Sequence, residues 1–317
     1  VLVMVGLIWL YTRKGGIKTL VWTDSFQTLC MFMALILIIY NVITSLNMNV
    51  GEALSAIASN VHSRVFVFDD FVSRQNFFKQ FFSGIFVVIV MTGLDQDMMQ
   101  KNLTCKSLRD AQKDMCSYGF AFLPANLLFL SLGILLMMLA NKQGISLPEM
   151  SDNLLPMFAA SGSLGTIVVI LFTIGIVAAS FSSADSAMTA LTTSWCVDIM
   201  ERHKDERLRK ITHFIFALLF VVFILAFKVI NSTSVIDAIY ILCSYTYGPL
   251  LGLFAFGLLT KRKTNDRMVP YIAIISPIIC FAIDTITQHT TGYKFGYELL
   301  MVNGALTFAG MFIFRSR

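Results

Sequence analysis

The feature that most restricts the fold of this chain is its series of apolar runs, several of which reach about 18–25 residues. A helix needs about 20 such residues to cross the roughly 30 Å hydrocarbon layer of a bilayer. The 317 residues are 56% hydrophobic and 14% charged, with a mean hydropathy of +0.74, whereas a soluble domain carries about 25% charged residues. We therefore expect an all-α, polytopic transmembrane helical bundle.

The apolar runs predict about nine spans, and the first is partial because the chain opens within an apolar run. We treat residues 1–317 as a single transmembrane domain, with a mixed outer loop at 46–79 that we expect to hold short helices. Since the chain does not begin with methionine, we interpret it as a fragment of a longer protein, cut inside a helix. The predicted spans are approximately 1–12, 19–44, 80–98, 115–140, 164–195, 211–230, 235–259, 268–287 and 297–314.

The loop charges orient these spans. Of the 24 lysines and arginines, 18 fall in loops on one side of the predicted spans and six on the other. Cytoplasmic loops carry the excess of positive charge. That side, with the C-terminus, is therefore predicted to be cytoplasmic in a multi-pass protein of the plasma or bacterial inner membrane. The same confinement to short loops argues against nucleic-acid binding despite a net charge of +5.

A row of polar residues occupies the inner part of the fifth span, in the stretch "AASFSSADSAMTALTTS" at 178–194. Helical spacing places Ser182, Asp185, Ser186 and Thr189 on one face. Hydroxyl residues alone are common at helix contacts in membranes. A carboxylate within a span is expensive and marks a functional site by default.

Asp24 is a second carboxylate inside a predicted span, about 8–9 Å from the helix start at 1.5 Å per residue. It could also reach back to the cytoplasmic interface or cap a neighbouring helix. Hard cations such as sodium need about five or six oxygen ligands, which carboxylates and hydroxyls on two helices can supply. The residues favour cation binding, and the alternative is tight helix packing with Asp185 as a proton-relay acid.

Glycine and proline mark positions where spans could break. Gly84 and Gly93 lie in the short third span, and Gly248 and Pro249 lie in the seventh. A proline removes one backbone donor and frees a carbonyl one turn earlier. Discontinuous helices near the midplane are where transporters place their substrates, although a tolerated kink is the more common outcome.

The remaining polar residues do not indicate an enzyme. No GxSxG, HExxH or phosphate-binding loop motif occurs, and the four histidines lack metal-ligand spacing. The six cysteines form no metal or redox motif, and we expect no disulfide. We expect Asp95 and Asp97 to be hydrated where a span exits, and Asp284 to make a packing hydrogen bond.

Four stretches together resemble the solute:sodium symporter family, whose members have the LeuT-like inverted-repeat fold. "RKGGIKTLVWTDSFQTL" resembles the fifth core helix with its loop, and "GLDQDMMQKNLTCKSLRDAQK" the exit of the sixth. "AASFSSADSAMTALTTSWCVDIM" resembles the eighth core helix and "YGPLLGLFAFGLLTKR" the tenth. On this resemblance the spans are core helices four (partial) to ten plus two peripheral helices, and the first three core helices are absent.

The resemblance implies sodium as the coupling ion, because the family's sodium sites match positions in these motifs. Its principal site also takes carbonyls from the broken first core helix. Family members often have serine where Asp185 stands, so this charge either strengthens a second site or makes it protonatable, and we favour the former. The implied sets are Ala179, Ser182 and Ser183 for the principal site and Asp24, Ser182, Asp185 and Ser186 for a possible second one.

The resemblance also bears on the substrate. In sugar-carrying relatives, polar residues line the sixth, seventh and tenth helices, whereas the matching stretches "VVIVMT", "YGFAFLPAN" and "IYILCSY" are mostly apolar. This argues against a hexose and for a small acid, an amino acid or another partly apolar solute. The residues expected near the substrate are Met91, Phe122, Tyr240, Ser244 and Tyr245.

Residues and resemblance together predict a sodium-coupled secondary active transporter that imports a small organic solute by alternating access. A proton-coupled carrier on the same scaffold, with Asp185 as the titrating group, is the alternative. A non-transporting membrane sensor or enzyme is less favoured, because it needs an active-site constellation or an attached soluble domain. The lipid bilayer and the solute are the expected partners, and the sequence does not indicate an oligomeric state.

Overall fold

The computed structural model describes residues 1–12, 17–202, 204–230, 235–293 and 295–314. Side chains are described in the same ranges apart from 11–12, 17–23 and 230. Part of the charge pattern used for orientation therefore lies outside the described residues, namely Arg13, Lys14, Lys294, Arg315, Arg317 and the side chain of Lys18.

Eight of the nine predicted spans each coincide with one helix and the third coincides with two, and the described residues contain no strand, so the all-α class is confirmed. The loop predicted to hold short helices contains one α-helix and a 3₁₀ turn at Val61–Ser63. The helices are α1 (Leu2–Thr12), α2 (Ile17–Leu46), α3 (Val50–Ala58), α4 (Phe77–Gly93), α5 (Gln96–Leu103), α6 (Leu108–Gln143), α7 (Leu154–Ala160), α8 (Thr166–Thr193), α9 (Glu206–Ile230), α10 (Val235–Leu259), α11 (Val269–Thr291) and α12 (Leu299–Ile313).

Six of the described helices are long and apolar enough to cross a membrane, namely α2, α6, α8, α9, α10 and α11. The bent pair α4 and α5 makes a seventh if the two are counted as one span. Of the nine predicted spans, the remaining two are α1, with 11 residues, and α12, with 15. Both are shorter than the roughly 20 residues that a crossing helix needs.

The third predicted span breaks at one of its two glycines. α4 runs through Gly84 and ends at Gly93, and α5 starts after a bend of 55°. Asp95 stabilises the bend, because its Oδ1 accepts the backbone N–H of Asp97 over 2.9 Å at the start of α5. Its Oδ2 accepts the hydroxyl of Tyr247 over 2.6 Å. Asp95, which the sequence led us to expect as hydrated, thus also accepts hydrogen bonds from the protein.

The seventh predicted span does not break, because α10 continues through Gly248 and Pro249. The glycine lies against α12 instead: a Cβ added to Gly248 would overlap the side chain of Asn303. One turn later, a Cβ on Gly252 would come within 2.5 Å of the carbonyl oxygen of Gly304. Small residues allow membrane helices to approach this closely, so the glycines serve packing here.

The contacts divide the chain into two compact units, each described by itself. Unit 1 comprises Val1–Ser63 and Gln100–Ser232, and unit 2 comprises Arg64–Met99 and Thr233–Arg317. The core of unit 1 is formed by apolar side chains of α2, α6, α7 and α8. In unit 2, α10, α11 and α12 pack together, and Asp284 of α11 accepts the backbone N–H of Phe295 over 3.2 Å, the packing hydrogen bond predicted for it.

Candidate cation site

Helices α2 and α8 pack side by side in unit 1 and carry both predicted carboxylates. Two contacts define their register. Ser182 of α8 donates its hydroxyl to Oδ1 of Asp24 on α2, and a Cβ on Gly175 would lie 3.0 Å from Met31 Cγ. Seven residues forward along α2 therefore correspond to seven residues back along α8, and the two helices are antiparallel.

Asp24 is the residue that joins the two helices through a polar contact. Its side chain is 29% exposed. One carboxylate oxygen accepts the Ser182 hydroxyl, and the other lies 3.8 Å from the ammonium nitrogen of Lys101 on α5. The structure thus brings Asp24 and Ser182 of the second predicted set into contact.

Asp185 and Ser186 lie one turn further along α8 and are fully enclosed, with 2% and 3% of their surface exposed. Thr189 donates its hydroxyl to Oδ1 of Asp185 over a long 3.5 Å. The hydroxyl oxygen of Ser186 is buried and has no hydrogen-bond partner among the described residues. A buried polar atom without a partner costs about 1–3 kcal/mol, so a cation that accepted this lone pair would recover part of that cost.

The residues of the principal predicted set make fewer contacts with one another than those of the second set. Ala179 is half-buried and Ser183 is exposed, while the Ser182 hydroxyl is directed to Asp24. Of the two predicted sets, the structure thus brings together residues of the second, from two helices. α8 then changes to a π-helical turn at Ser194–Ile199, a deviation that is frequent near functional sites.

Gln27 carries a possible oxygen ligand for a cation that the sequence interpretation missed. Its amide oxygen Oε1 is buried and has no hydrogen-bond partner among the described residues. Gln27 lies three residues beyond Asp24 on α2, so the antiparallel register places it level with Ala179, three residues before Ser182 on α8. The same register holds further out, where Asn41 Nδ2 donates to the Leu164 carbonyl over 2.8 Å. An amide oxygen without a hydrogen-bond partner is a suitable ligand for a hard cation.

Lys101 is the second residue near the candidate site that the sequence interpretation missed. Its charge was counted only toward the orientation of the loops. The motif "GLDQDMMQKNL" contains no signal that separates Lys101 from the other basic residues of the same segment. Only the tertiary contact between Lys101 and Asp24 identifies it.

The residues predicted to lie near the substrate are distributed over both units. In unit 1, Phe122 is exposed and its ring lies 6.0 Å from that of Tyr118. In unit 2, the Tyr240 ring lies 4.8 Å from that of Tyr297. Ser244 is 2% exposed and donates its hydroxyl to the Tyr240 carbonyl over 2.8 Å. Two further predicted residues are half-buried, Met91 and Tyr245.

Unit 1 also contains an apolar cavity of about 220 Å³. It lies between α2, α6, α7 and α8, and its lining includes Leu35, Phe129, Leu132, Phe172 and one charged residue, Asp152. None of the predicted cation ligands is among the residues that line it. The cavity is therefore separate from the polar face of α8.

A comparison with known proteins supplies the family. The chain matches the family model of the sodium:solute symporter family over residues 1–269. It is 24% identical over 294 residues to the sodium/sialic acid symporter NanT of Aliivibrio fischeri, covering 85% of this chain and 55% of that protein. It is 27% identical over 273 residues to the sodium-dependent multivitamin transporter of Oryctolagus cuniculus, covering 78% and 41%. The chain thus spans about half the length of these curated relatives.

The fold has a solved counterpart. The structure reported as the substrate-bound outward-open state of a Na⁺-coupled sialic acid symporter, with a novel Na⁺ site, superimposes with a TM-score of 0.77 at 20% identity. The match covers 98% of this chain and 65% of that one. At this identity the likeness concerns the fold, and it confirms the helical symporter fold expected from the resemblance.

Proposed function

The chain belongs to the sodium:solute symporter family, and on this premise we propose that it couples sodium entry to the import of a small organic solute by alternating access. It is a multi-pass membrane protein with six long apolar helices among its described residues. We further propose that the whole chain acts as one transmembrane domain, with its C-terminus in the cytoplasm of a plasma or inner membrane. Sodium is a co-transported substrate in this scheme.

One observation carries the proposal. Asp24 on α2 and Ser182 on α8 meet at the same point of an antiparallel helix pair, although 158 residues separate them in the chain. A carboxylate and a hydroxyl that converge from two spans are unusual. Ionisable groups within a membrane are energetically expensive, and they commonly mark a functional site. Beside them, the oxygens of Ser186 and Gln27 are buried without hydrogen-bond partners in the described part of the chain.

These oxygens suit sodium chemically. Hard cations prefer carboxylate, hydroxyl and carbonyl oxygens over nitrogen or sulfur. The carboxylate supplies the charge that neutralises the ion, and the neutral oxygens replace its water. In our proposal Asp24, Ser182, Asp185 and Ser186 form one site. Ala179, Ser182, Ser183 and the amide oxygen of Gln27 contribute to the other.

The direction of release follows from depth along α2. Asp24 lies seven residues after the first residue of the helix and 22 before its last, which places it about 10 Å from the first end at 1.5 Å per residue. With the proposed orientation, that end is cytoplasmic. Sodium leaving the Asp24 site therefore has a short path to the cytoplasm.

The substrate proposal is limited to a class. Of the predicted residues in unit 2, Met91, Tyr240 and Tyr245 offer apolar and aromatic surface with few polar groups, which favours a partly apolar small solute. The two curated relatives are named as a sialic acid symporter and a multivitamin transporter. Ser244 is enclosed, with its hydroxyl bonded to its own helix, so we leave it out of the proposed substrate surface.

Proton coupling is the second candidate, and the burial of Asp185 favours it. Asp185 is 2% exposed, and a buried carboxylate in a membrane span is costly unless a cation or a proton compensates its charge. In this case Asp185 carries a proton in place of a second sodium ion. The sodium proposal requires the ionised form, stabilised by the cation.

The test is ²²Na⁺ binding to the whole protein in proteoliposomes, with Ser182→Ala, Asp185→Asn and Ser180→Ala compared with the wild type. Ser180 is a matched control because its hydroxyl bonds the Ile176 carbonyl of its own helix over 2.9 Å. We expect Ser182→Ala to weaken sodium binding at least about tenfold, the cost of a ligand worth about 1.4 kcal/mol. Ser180→Ala should bind as the wild type does.

Asp185→Asn separates the two candidates. Loss of one bound sodium per protein supports a sodium ligand. An unchanged stoichiometry, together with substrate uptake that no longer depends on pH, supports the proton carrier. Absence of saturable sodium binding in the wild type would overturn the sodium proposal as a whole.

A further inference from the structure

The carboxylate of Asp24 has two different neighbours on its two oxygens. Ser182 donates a hydroxyl hydrogen bond to Oδ1, and the ammonium nitrogen of Lys101 lies 3.8 Å from Oδ2. The Asp24 and Lys101 side chains are 29% and 36% exposed, so the pair is partly withdrawn from solvent. Asp24 is therefore paired with a positive charge that belongs to the protein itself.

The charge balance of the site gives this pair a role. An ionised carboxylate inside a membrane span is costly unless a positive charge compensates it. Sodium supplies that charge when it is bound, and the ammonium group 3.8 Å away can supply it when sodium has left. An ammonium group carries the same single charge and also prefers carboxylate oxygens. Two cations on one carboxylate would repel each other, so occupancy by one weakens the other.

We propose that Lys101 is an internal cation that neutralises Asp24 when the sodium site is empty and that sodium must displace to bind. The inference rests on the proposed function, because it requires sodium to use Asp24. Lys101 then sets the sodium affinity of this site and promotes release to the cytoplasm by replacing the departing ion. A long, flexible lysine side chain can make this exchange without a change in its helix.

Lys106 provides the matched comparison. It lies five residues later in the same basic segment, is exposed, and follows the end of α5. Removing its charge alters the local positive potential to a similar degree, but leaves the contact with Asp24 in place. A generic effect of surface charge would appear in both variants, whereas direct competition would appear only at Lys101.

The experiment measures sodium binding to the whole, purified protein by ²²Na⁺ equilibrium binding in Lys101→Gln, Lys101→Met, Lys101→Arg and Lys106→Gln. We expect the half-saturating sodium concentration to fall about 1.5- to fivefold in Lys101→Gln and Lys101→Met, the range for losing a partly exposed ion pair. Lys101→Arg and Lys106→Gln should stay close to the wild type. An unchanged or higher half-saturating concentration in both neutral variants would overturn the proposal.

A second measurement uses the wild-type protein and does not depend on how the variants fold. An amine-acetylating reagent, followed by mass spectrometry, reports the reactivity of Lys101 with Lys106 as an internal reference. Saturating sodium should raise the acetylation of Lys101 relative to the same concentration of choline and leave Lys106 unchanged. Equal acetylation of Lys101 in sodium and choline would contradict displacement.

These outcomes separate the two proposals. A wild type without saturable sodium binding would remove the proposed function and this inference with it. A wild type that binds sodium, with Lys101 insensitive in both measurements, would remove only the role of Lys101.

Discussion

The side-chain amide of Asn303 on α12 donates to the backbone carbonyl of Tyr245 on α10 over 3.0 Å. In a regular helix, the backbone N–H of residue 249 would donate to the carbonyl of Tyr245. Residue 249 is a proline and has no backbone N–H, so the Tyr245 carbonyl lacks this donor. The same amide also donates to the Ser244 carbonyl over 3.1 Å. The carbonyl freed by the proline is therefore satisfied by the neighbouring helix, and α10 remains continuous.

This relationship predicts a coupling between Asn303 and Pro249. Asn303→Ala leaves the Tyr245 carbonyl without this donor in a buried setting, and we expect it to destabilise the protein by about 1–3 kcal/mol. In the Pro249→Ala background the restored N–H can bond that carbonyl, so Asn303→Ala should cost about 0.5–1.5 kcal/mol less. Denaturation in detergent micelles measures this double-mutant cycle, and strictly additive effects would contradict the relationship.

Gly252 is predicted to be essential for the contact between α10 and α12. A Cβ at this position would approach the Gly304 carbonyl oxygen to 2.5 Å and Thr307 Cβ to 2.6 Å, so Gly252→Ala should destabilise by about 1–3 kcal/mol through overpacking. Gly257→Ala is the control in the same helix, because its Cβ would meet no described atom within 4 Å. It should be neutral or stabilising by up to about 1 kcal/mol. Equal melting temperatures for the two variants would argue against the close approach.

Gln27 is predicted to contribute an oxygen to the principal sodium site. Gln27→Leu removes the buried amide oxygen and should weaken sodium binding by about three- to tenfold, equivalent to roughly 0.7–1.4 kcal/mol. Gln80→Leu is a suitable control, because Gln80 is an exposed residue of unit 2 that donates to the Arg74 carbonyl over 2.7 Å. Isothermal titration with sodium chloride against choline chloride measures both. Wild-type affinity in Gln27→Leu would remove this residue from the site.

Tyr247 is predicted to hold the bend between α4 and α5 through Asp95. Tyr247→Phe removes the 2.6 Å hydrogen bond to Oδ2, worth about 0.5–1.5 kcal/mol, so the amides at the start of α5 should exchange about two- to twelvefold faster. Hydrogen–deuterium exchange of peptides covering 94–103 measures this effect. The control is Tyr271→Phe, at an exposed position of α11, which should leave the exchange of these peptides unchanged. Unchanged exchange in Tyr247→Phe as well would contradict a role of this hydrogen bond in the bend.

The sequence was sufficient for the features that depend on short-range pattern. Helix positions follow from apolar runs, because a bilayer demands a minimum length of apolar helix. The polar face of α8, with Asp185 and Ser186, follows from helical periodicity. The expected break at Gly93 follows from a weak helix former in a short span. At Gly248 and Pro249 the sequence left a break and a tolerated kink open, with the kink more common, and α10 is continuous there; a glycine pattern is the same for a break and for a close helix contact.

What the sequence by itself determined is therefore the set of membrane helices, the presence of two intramembrane carboxylates and the family to which they point. The resemblance had already grouped Asp24 with Ser182, and the structure brings the two into contact. Only the tertiary structure decided that Lys101 meets the same carboxylate and that Asn303 meets the carbonyl of Tyr245. Gln27 likewise entered the site only through the register of α2 against α8. The physical reason is that these contacts join residues tens to more than a hundred positions apart. Their geometry is set by helix packing, which local periodicity does not encode.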